Sequence, residues 1–380
     1  MDVFRKNIDV YPRHWSIVSK ALEKQLDEIK LFCEDLKDCK NSGKFYITDG
    51  VGRSGIIAKT AAYDLRHGLG INAFYQGWHK TPHWKSGEYL ESFSASGSTK
   101  PVVRRAIMAR KDGLKIRCLT SNPKSKLAEI AELVIYIPGR EKSVVEAERG
   151  KWISPMGNLS EFSFYGVSMC REIAFAQTKR GCNFEDEFLQ YAGELEDYLE
   201  ECRDELFAQE DKIDHLIEDI RDKRLLLVCG VGPHSGGVGQ CFEMRMTHAG
   251  YSEREKEREV LFVDSENFPL VQLKLHQLKK EDVRVFLVSH EYEEKISKSF
   301  FEQLFFEWNL LEVSYILTSS PRAMKEFGER AIYIPSRTFK LSSDYEVSFF
   351  YPVALLTADS IACSCAKLNN VIMEERHKVE

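Results

Sequence analysis

The chain has 380 residues, 43% of them hydrophobic, and a net charge of -6 from 53 Lys+Arg against 59 Asp+Glu. That length fits two domains or one large duplicated one, with enough apolar residues for ordinary packed cores. The charge leaves no basic excess for nucleic acid, no apolar run approaches the roughly 18 residues of a membrane span, and the start Met1-Asp2-Val3-Phe4-Arg5-Lys6 lacks an apolar signal core. The expectation is a cytoplasmic protein that partners neither nucleic acid nor membrane. Ten cysteines lie scattered without a C-x-x-C pair, and only Cys363 and Cys365 are close, a pattern of reduced thiols rather than of zinc or disulfides.

In chain order, Val18, Leu22, Ile29, Phe32 and Leu36 predict one amphipathic helix over 14–38, ending near Asn41-Ser42-Gly43. Phe45 to Thr48 reads as a strand entering Gly50-Val51-Gly52-Arg53-Ser54-Gly55, and a helical pattern leaves it from Ile56 to Leu65. Ile71 to Tyr75 reads as a second strand and 76–82 as an irregular loop. Tyr89 to Phe93 is a third strand, running into Ser94-Ala95-Ser96-Gly97-Ser98-Thr99 before a helix from Val102 to Arg110. A strand from Ile116 to Leu119, a turn at Thr120-Ser121-Asn122-Pro123, a short helix over Lys126 to Ala131 and a strand from Leu133 to Ile137 complete the unit. Strands alternating with helices predict a parallel α/β sheet.

Two strand-to-helix turns in this unit suit an anion. Glycines let the backbone come close to a ligand, and a helix start offers unpaired N–H groups at the positive end of its dipole. The second turn adds four hydroxyls in six residues. One hydroxyl is enough to cap the helix that follows, so the others are available to a tetrahedral anion. Both turns fall at the carboxyl ends of parallel strands, where ligands of open α/β sheets sit.

These residues, with Lys59, His67, Thr81-Pro82, Lys100, Leu119 to Pro123, Ser125, Leu127-Ala128, Ile137-Pro138-Gly139 and Pro155-Met156-Gly157-Asn158-Leu159-Ser160-Glu161, resemble the SIS (sugar isomerase) family over about residues 43–175, closest to 6-phospho-3-hexuloisomerases. The resemblance implies a five-stranded parallel sheet in an α/β/α sandwich and a sugar phosphate on the serine/threonine loop. It implies substrate binding by Gly52, Arg53, Ser54, Ser94, Ser96, Ser98 and Thr99. The chain departs from the family at Ser98, where Glu is usual, at Ala95, where Gly is usual, and by one extra residue between His67 and Gly70.

The pattern recurs. Arg224 to Cys229 enters Gly230-Val231-Gly232, and Gly250 follows Gly230 by the same interval as Gly70 follows Gly50. Val285 to Val288, Leu317 to Pro321, Ile332 to Pro335 and Glu346-Val347-Ser348-Phe349 match later parts of the first copy, the last opposite Glu161-Phe162-Ser163-Phe164. Leu195, Leu199, Cys202, Leu206, Ile213, Leu216 and Ile220 repeat the leading helix. The expected organisation is two tandem SIS domains, 1–190 and 191–380. Ser289-His290-Glu291-Tyr292-Glu293-Glu294 stands in the second anion loop's place, and its carboxylates oppose a phosphate, so the second domain is read as degenerate.

Moving a proton between neighbouring sugar carbons needs a shielded carboxylate. Glu161 stands where the family carries its base, before an apolar segment that would raise its pKa, although the helix dipole alone would also favour a carboxylate there. Glu346 is its repeat-related alternative. Ring opening suits a histidine. His67 matches a family position but sits about 12 residues into its helix, roughly 18 Å from its own anion turn, so His248 of the other copy is the better partner, with His79 and His83 as rivals. Lys100, Arg53 and Arg104 add positive potential, and Lys59 fits an exposed helix face. The reading is an aldose–ketose isomerase acting through a cis-enediol, without metal or cofactor, in a homo-oligomer as the family implies. A sugar-phosphate-binding regulator, an amino-sugar isomerase or deglycase, and a sulfo-sugar isomerase stand as alternatives.

Overall fold

The computed structural model describes residues 2–78, 83–139, 152–153, 158–251, 258–264, 266–292 and 307–373. His79, Thr81-Pro82, Pro155 to Gly157, Glu293 and Glu294, all used in the sequence reading, lie outside the described residues. The first half runs α1 (Asp2–Glu23), α2 (Leu26–Ser42), β1 (Tyr46–Asp49), α3 (Arg53–Tyr63), β2 (Ala73–Tyr75), β3 (Tyr89–Phe93), α4 (Lys100–Lys111), β4 (Lys115–Thr120), α5 (Lys126–Ile130), β5 (Leu133–Tyr136) and α6 (Asn158–Thr178). The second runs α7 (Phe184–Ala208), α8 (Glu210–Arg221), β6 (Leu225–Gly230), α9 (Gly232–Met246), β7 (Glu259–Phe262), α10 (Phe268–Gln277), β8 (Val283–Val288), β9 (Ser314–Thr318), α11 (Pro321–Phe327) and β10 (Ala331–Tyr333). An antiparallel ribbon of β11 (Thr338–Lys340) and β12 (Glu346–Ser348) then leads into α12 (Phe350–Leu368).

Each half builds a five-stranded parallel sheet in one strand order, β2-β1-β3-β4-β5 and β7-β6-β8-β9-β10. The duplication read from the sequence is therefore a duplication of topology. It extends to the turns: a Cβ on Gly50 would lie 2.7 Å from the Ser54 carbonyl, and one on Gly230 would lie 2.2 Å from that of Ser235, so only glycine lets either strand turn into its helix.

The helix predicted over 14–38 is two helices, broken at Lys24-Gln25, and its repeat is likewise broken at Gln209. Glutamine is a good helix former, so the cause is tertiary. The Gln25 amide donates to the Tyr136 carbonyl and accepts from the Tyr136 N–H, both at 2.8 Å, holding the end of edge strand β5. Gln209 does the same to Tyr333 on β10, at 2.9 and 2.8 Å.

A π-helical turn, Asp64–Gly68, follows α3, and another, Thr247–Tyr251, follows α9. A π turn accommodates one extra residue in a helix. Both copies carry such a turn at the end of the helix that follows the first strand.

One continuous hydrophobic core joins the halves, running from α1 and α2 through α6 and α7 to α9 and α12. α6 and α12 are buried nearly all round, as befits helices enclosed by a core. α3 and α9 pack directly: a Cβ on Gly237 would lie 3.2 Å from Ile56 and 3.3 Å from Thr60. The division drawn at 190 falls inside α7, which packs on α1 and α6, while its Glu194 carbonyl accepts from Arg337 of the second half at 2.9 Å.

Glu346 is corrected by the fold. It lies exposed on β12, 3.7 Å from Lys340, not on a helix, because the ribbon precedes α12, which begins only at Phe350. The match between Glu346-Val347-Ser348-Phe349 and Glu161-Phe162-Ser163-Phe164 is one of letters alone.

Candidate active site

The carboxyl ends of β1, β3 and β4 and the start of α6 converge on one edge of the first sheet. Arg53 is the first residue of α3, after Gly52 with φ 60°, and Ser54 follows it. In the serine loop Ser94 and Thr99 hydroxyls share a hydrogen bond of 3.2 Å, and Ser98 Oγ donates to Ser96 Oγ at 3.0 Å. Thr99 stands at the N-cap of α4, yet its side chain makes no capping bond. Gly97, with φ 60°, is obligatory, because a Cβ there would fall 1.9 Å from Ser125 Oγ. Ser121 and Ser160 hydroxyls meet at 3.0 Å behind the loop. Arg105 of α4 grips Asp49, the last residue of β1, through three contacts of 2.7 to 3.0 Å, which ties the two anion turns to each other. Ser96, Ser98, Lys100 and Arg104 are exposed, whereas Ser94 is buried.

Glu161, in the first turn of α6, is buried at this edge. Arg53 Nη2 lies 3.1 Å from its Oε1, and Arg245 of α9 donates to its Oε2, also at 3.1 Å. Arg245 is itself fully buried and gives its Nε to Asp359 of α12 at 3.2 Å. Burial pushes the Glu161 carboxyl up to about 8, against the pull of Arg53 and helped by the charge of Asp359. Burial likewise raises Asp359 to about 7, again opposed by Arg53. A carboxyl in this range can take and return a proton near neutral pH.

The equivalent edge of the second half is built differently. His234, in the first turn of α9, shares hydrogen bonds with Tyr165 Oη at 2.7 Å and with Asp64 at 2.8 Å, and it stacks on Tyr351 at 4.6 Å. Tyr345 of the ribbon region donates to the same Asp64 oxygen at 2.6 Å. His290 meets Ser336 at 2.7 Å, and burial lowers its pKa to about 4. Tyr292, at φ 48°, folds this loop onto Phe327, with ring centroids 5.5 Å apart.

Arg53, Ser54, Ser94, Ser96, Ser98, Thr99 and Glu161 thus come from elements that meet at one edge. His67 does not join them: it is exposed on its π turn, with its ring 4.2 Å from that of Tyr63. His248 is half-buried on the matching π turn, three residues past Arg245, and Lys59 is exposed. The sequence reading missed Arg245, Asp359, His234, Asp64 and Tyr165. A signal existed for two of them. Asp64 and Arg245 each stand three residues before the repeat-related histidines His67 and His248, polar residues at the ends of otherwise apolar helices.

Comparison with known proteins agrees with this architecture. The SIS domain model matches residues 41–149, and the chain belongs to the SIS-domain family. A 3-hexulose-6-phosphate isomerase of Bacillus subtilis (strain 168) is 33% identical over 42% of this chain and 84% of its own length. A second, from Mycobacterium gastri, is 38% identical over 36% of this chain and 62% of its own. An uncharacterized protein of Aeropyrum pernix is 30% identical over 33% of this chain and 59% of its own length. Among solved structures, the C-terminal domain of glucosamine-fructose-6-phosphate aminotransferase from Francisella tularensis superimposes with TM-score 0.61 at 13% identity, covering 94% of this chain and 96% of that one. Glucosamine-6-phosphate deaminase from Thermotoga maritima does so at 0.55 and 14% identity, covering 96% and 97%. At these identities the structural likeness shows the fold alone, and it extends over both halves. Among the described residues no helix is long and apolar enough to cross a membrane, and no group of three or more His, Cys, Asp or Glu is placed to hold a metal ion.

Proposed function

We propose that this chain isomerises a sugar phosphate by moving a proton between neighbouring carbons, at one site, formed by the first half's anion turns. The observation that carries the reading is Glu161: a buried carboxyl raised to about 8, at the same sheet edge as the serine loop and the Arg53 turn. The phosphate rests on the N–H groups at the starts of α3 and α4 and on the loop hydroxyls. Glu161 as carboxylate takes the proton from the carbon next to the carbonyl. The electron pair left behind forms the enediol double bond, and the carbonyl oxygen gains a proton. Collapse of the enediol from its other hydroxyl, which gives up a proton in exchange for the one the first oxygen gained, places the carbonyl on the carbon that was deprotonated, and Glu161 returns its proton to the former carbonyl carbon.

For an aldose this transfer runs between C1 and C2. For a 3-hexulose 6-phosphate, the substrate named for the Bacillus subtilis and Mycobacterium gastri relatives, it runs between C2 and C3 and yields a 2-ketose. We favour the phosphorylated hexulose for that reason. His248, from the half opposite the phosphate turns, is assigned to closing and reopening the ring of the 2-ketose; the 3-hexulose 6-phosphate, whose O6 carries the phosphate, enters as an open chain.

The test is Glu161→Gln. Turnover of 3-hexulose 6-phosphate should fall by about a hundred- to ten-thousandfold, while the rise in Tm caused by the sugar phosphate persists. Ser96→Ala should reduce that rise; the ligand stabilisation behind it is about 2.7 kcal/mol for the intact site at a hundred times Kd. Unchanged turnover in Glu161→Gln removes it as the base. Ligand stabilisation without turnover in wild type points instead to a sugar-phosphate-binding regulator.

A further inference from the structure

Arg245 belongs to the second half, on α9, yet its guanidinium ends on the first half's Glu161. Its side chain is 0% exposed. A buried arginine is costly unless closely paired, and this one is paired twice, with Glu161 at 3.1 Å and with Asp359 at 3.2 Å. The groups facing Glu161 come from three helices: Arg53 from α3, Arg245 and the Cys241 thiol from α9, and Asp359 from α12. Two cations and two carboxylates thus meet where the halves join.

The two arginines are not equivalent. Arg53 starts α3 at the anion turn and keeps 10% of its side chain exposed, so a bound phosphate competes with Glu161 for it. Arg245 is fully buried and spends its Nε and Nη2 on the two carboxylates.

We propose that Arg245 is a positioning residue supplied by the second half, which holds the Glu161 carboxylate in place when a phosphate draws Arg53 away, and that Asp359 sets how strongly Arg245 does so by sharing it. The inference rests on Glu161 as the base of the proposed isomerase. It gives the second half a part in the reaction through one side chain, although that half keeps no serine loop of its own.

The variants are Arg245→Met, Arg245→Lys and Asp359→Asn. Removing the cation in Arg245→Met disfavours the Glu161 carboxylate, so the acid limb of the kcat/KM profile should move to higher pH and kcat at pH 7 should fall roughly tenfold or more, a tenfold change corresponding to about one pKa unit. Arg245→Lys should recover part of kcat. Asp359→Asn removes a like charge, so the acid limb should move to lower pH. The opposite directions separate positioning from damage to the fold, which would lower activity without moving the limb both ways. Since Arg245→Met can fail to fold, the second measurement is the carboxyl titration of Glu161 by carbon-13 NMR in wild type and Asp359→Asn, assigned with Glu161→Gln. A lower titration point in Asp359→Asn supports the inference, and an unchanged one overturns it. If wild type turns over no sugar phosphate but Glu161 titrates as described, the isomerase reading fails while the coupling between the halves stands.

Discussion

The two halves share strand order, turn glycines, π turns and even the glutamine that breaks the leading helix, yet the first turns of α3 and α9 have opposite chemistry. In the first half Arg53 pairs with Glu161, and the hydroxyls of the serine loop bond to one another. In the second, His234 spends both ring nitrogens on Tyr165 and Asp64, and His290 is closed in by Ser336 and aromatic rings. One edge keeps polar groups available for a ligand, and the other consumes them internally. A shared scaffold therefore carries open hydroxyls at one edge and a closed polar cluster at the equivalent edge, and helices α3 and α9 pack between them.

The sharpest way to break this comparison is to exchange expected effects. Glu161→Gln should cost a hundredfold or more in turnover and little stability. His234→Ala should leave turnover within about threefold but lower stability by about 2–3 kcal/mol, since Asp64 and the Tyr165 hydroxyl lose a buried partner. Denaturant unfolding beside initial rates measures both, and a collapse of turnover in His234→Ala would make the second edge part of the chemistry.

A further effect is the pH dependence of stability. The folded value of Glu161 is raised from 4.5 to about 8, so between those pH values the folded chain holds more protons than the unfolded one. Its contribution is present below the unfolded value and is lost as pH rises through the folded one. The stability of Glu161→Gln relative to wild type should therefore grow from about pH 5 to about pH 8, as read by Tm at matched ionic strength. A flat difference would mean that the arginines hold Glu161 ionised throughout. The smallest expected effect concerns the scaffold: Gln25→Ala and Gln209→Ala should each cost about 1–2 kcal/mol, and by similar amounts, because each frees the same pair of backbone groups. A large inequality would show that the halves are not scaffolded alike.

Much of the fold was legible because parallel strands end in turn residues. Tyr89 to Phe93 is a strand with the expected bounds, and the glycine spacing of the two copies is real. The break at Gln25 was not legible, since no helix breaker marks it and its partner is 111 residues away. The ribbon at 338–348 was hidden by the four-residue likeness that misplaced Glu346. At the site, the serine loop and Glu161 could be read as chemistry-bearing residues in turns. Asp359 and His234 could not, and Asp64 and Arg245 only through their place three residues before a repeat-related histidine, because polar groups in helices acquire meaning only when tertiary contacts bury them together. Glu91 and Arg171, paired in the first half's core, show the same limit.

The two bidentate glutamines have a bearing on assembly. Each presents, to the last residue of an outer strand, the donor and acceptor that a neighbouring strand would offer, and so stands in for a sixth strand with a single side chain. An incoming chain that tried to extend either sheet at that edge would first have to displace the amide. Copies of this protein that associate should therefore not do so by adding a strand beside β5 or β10.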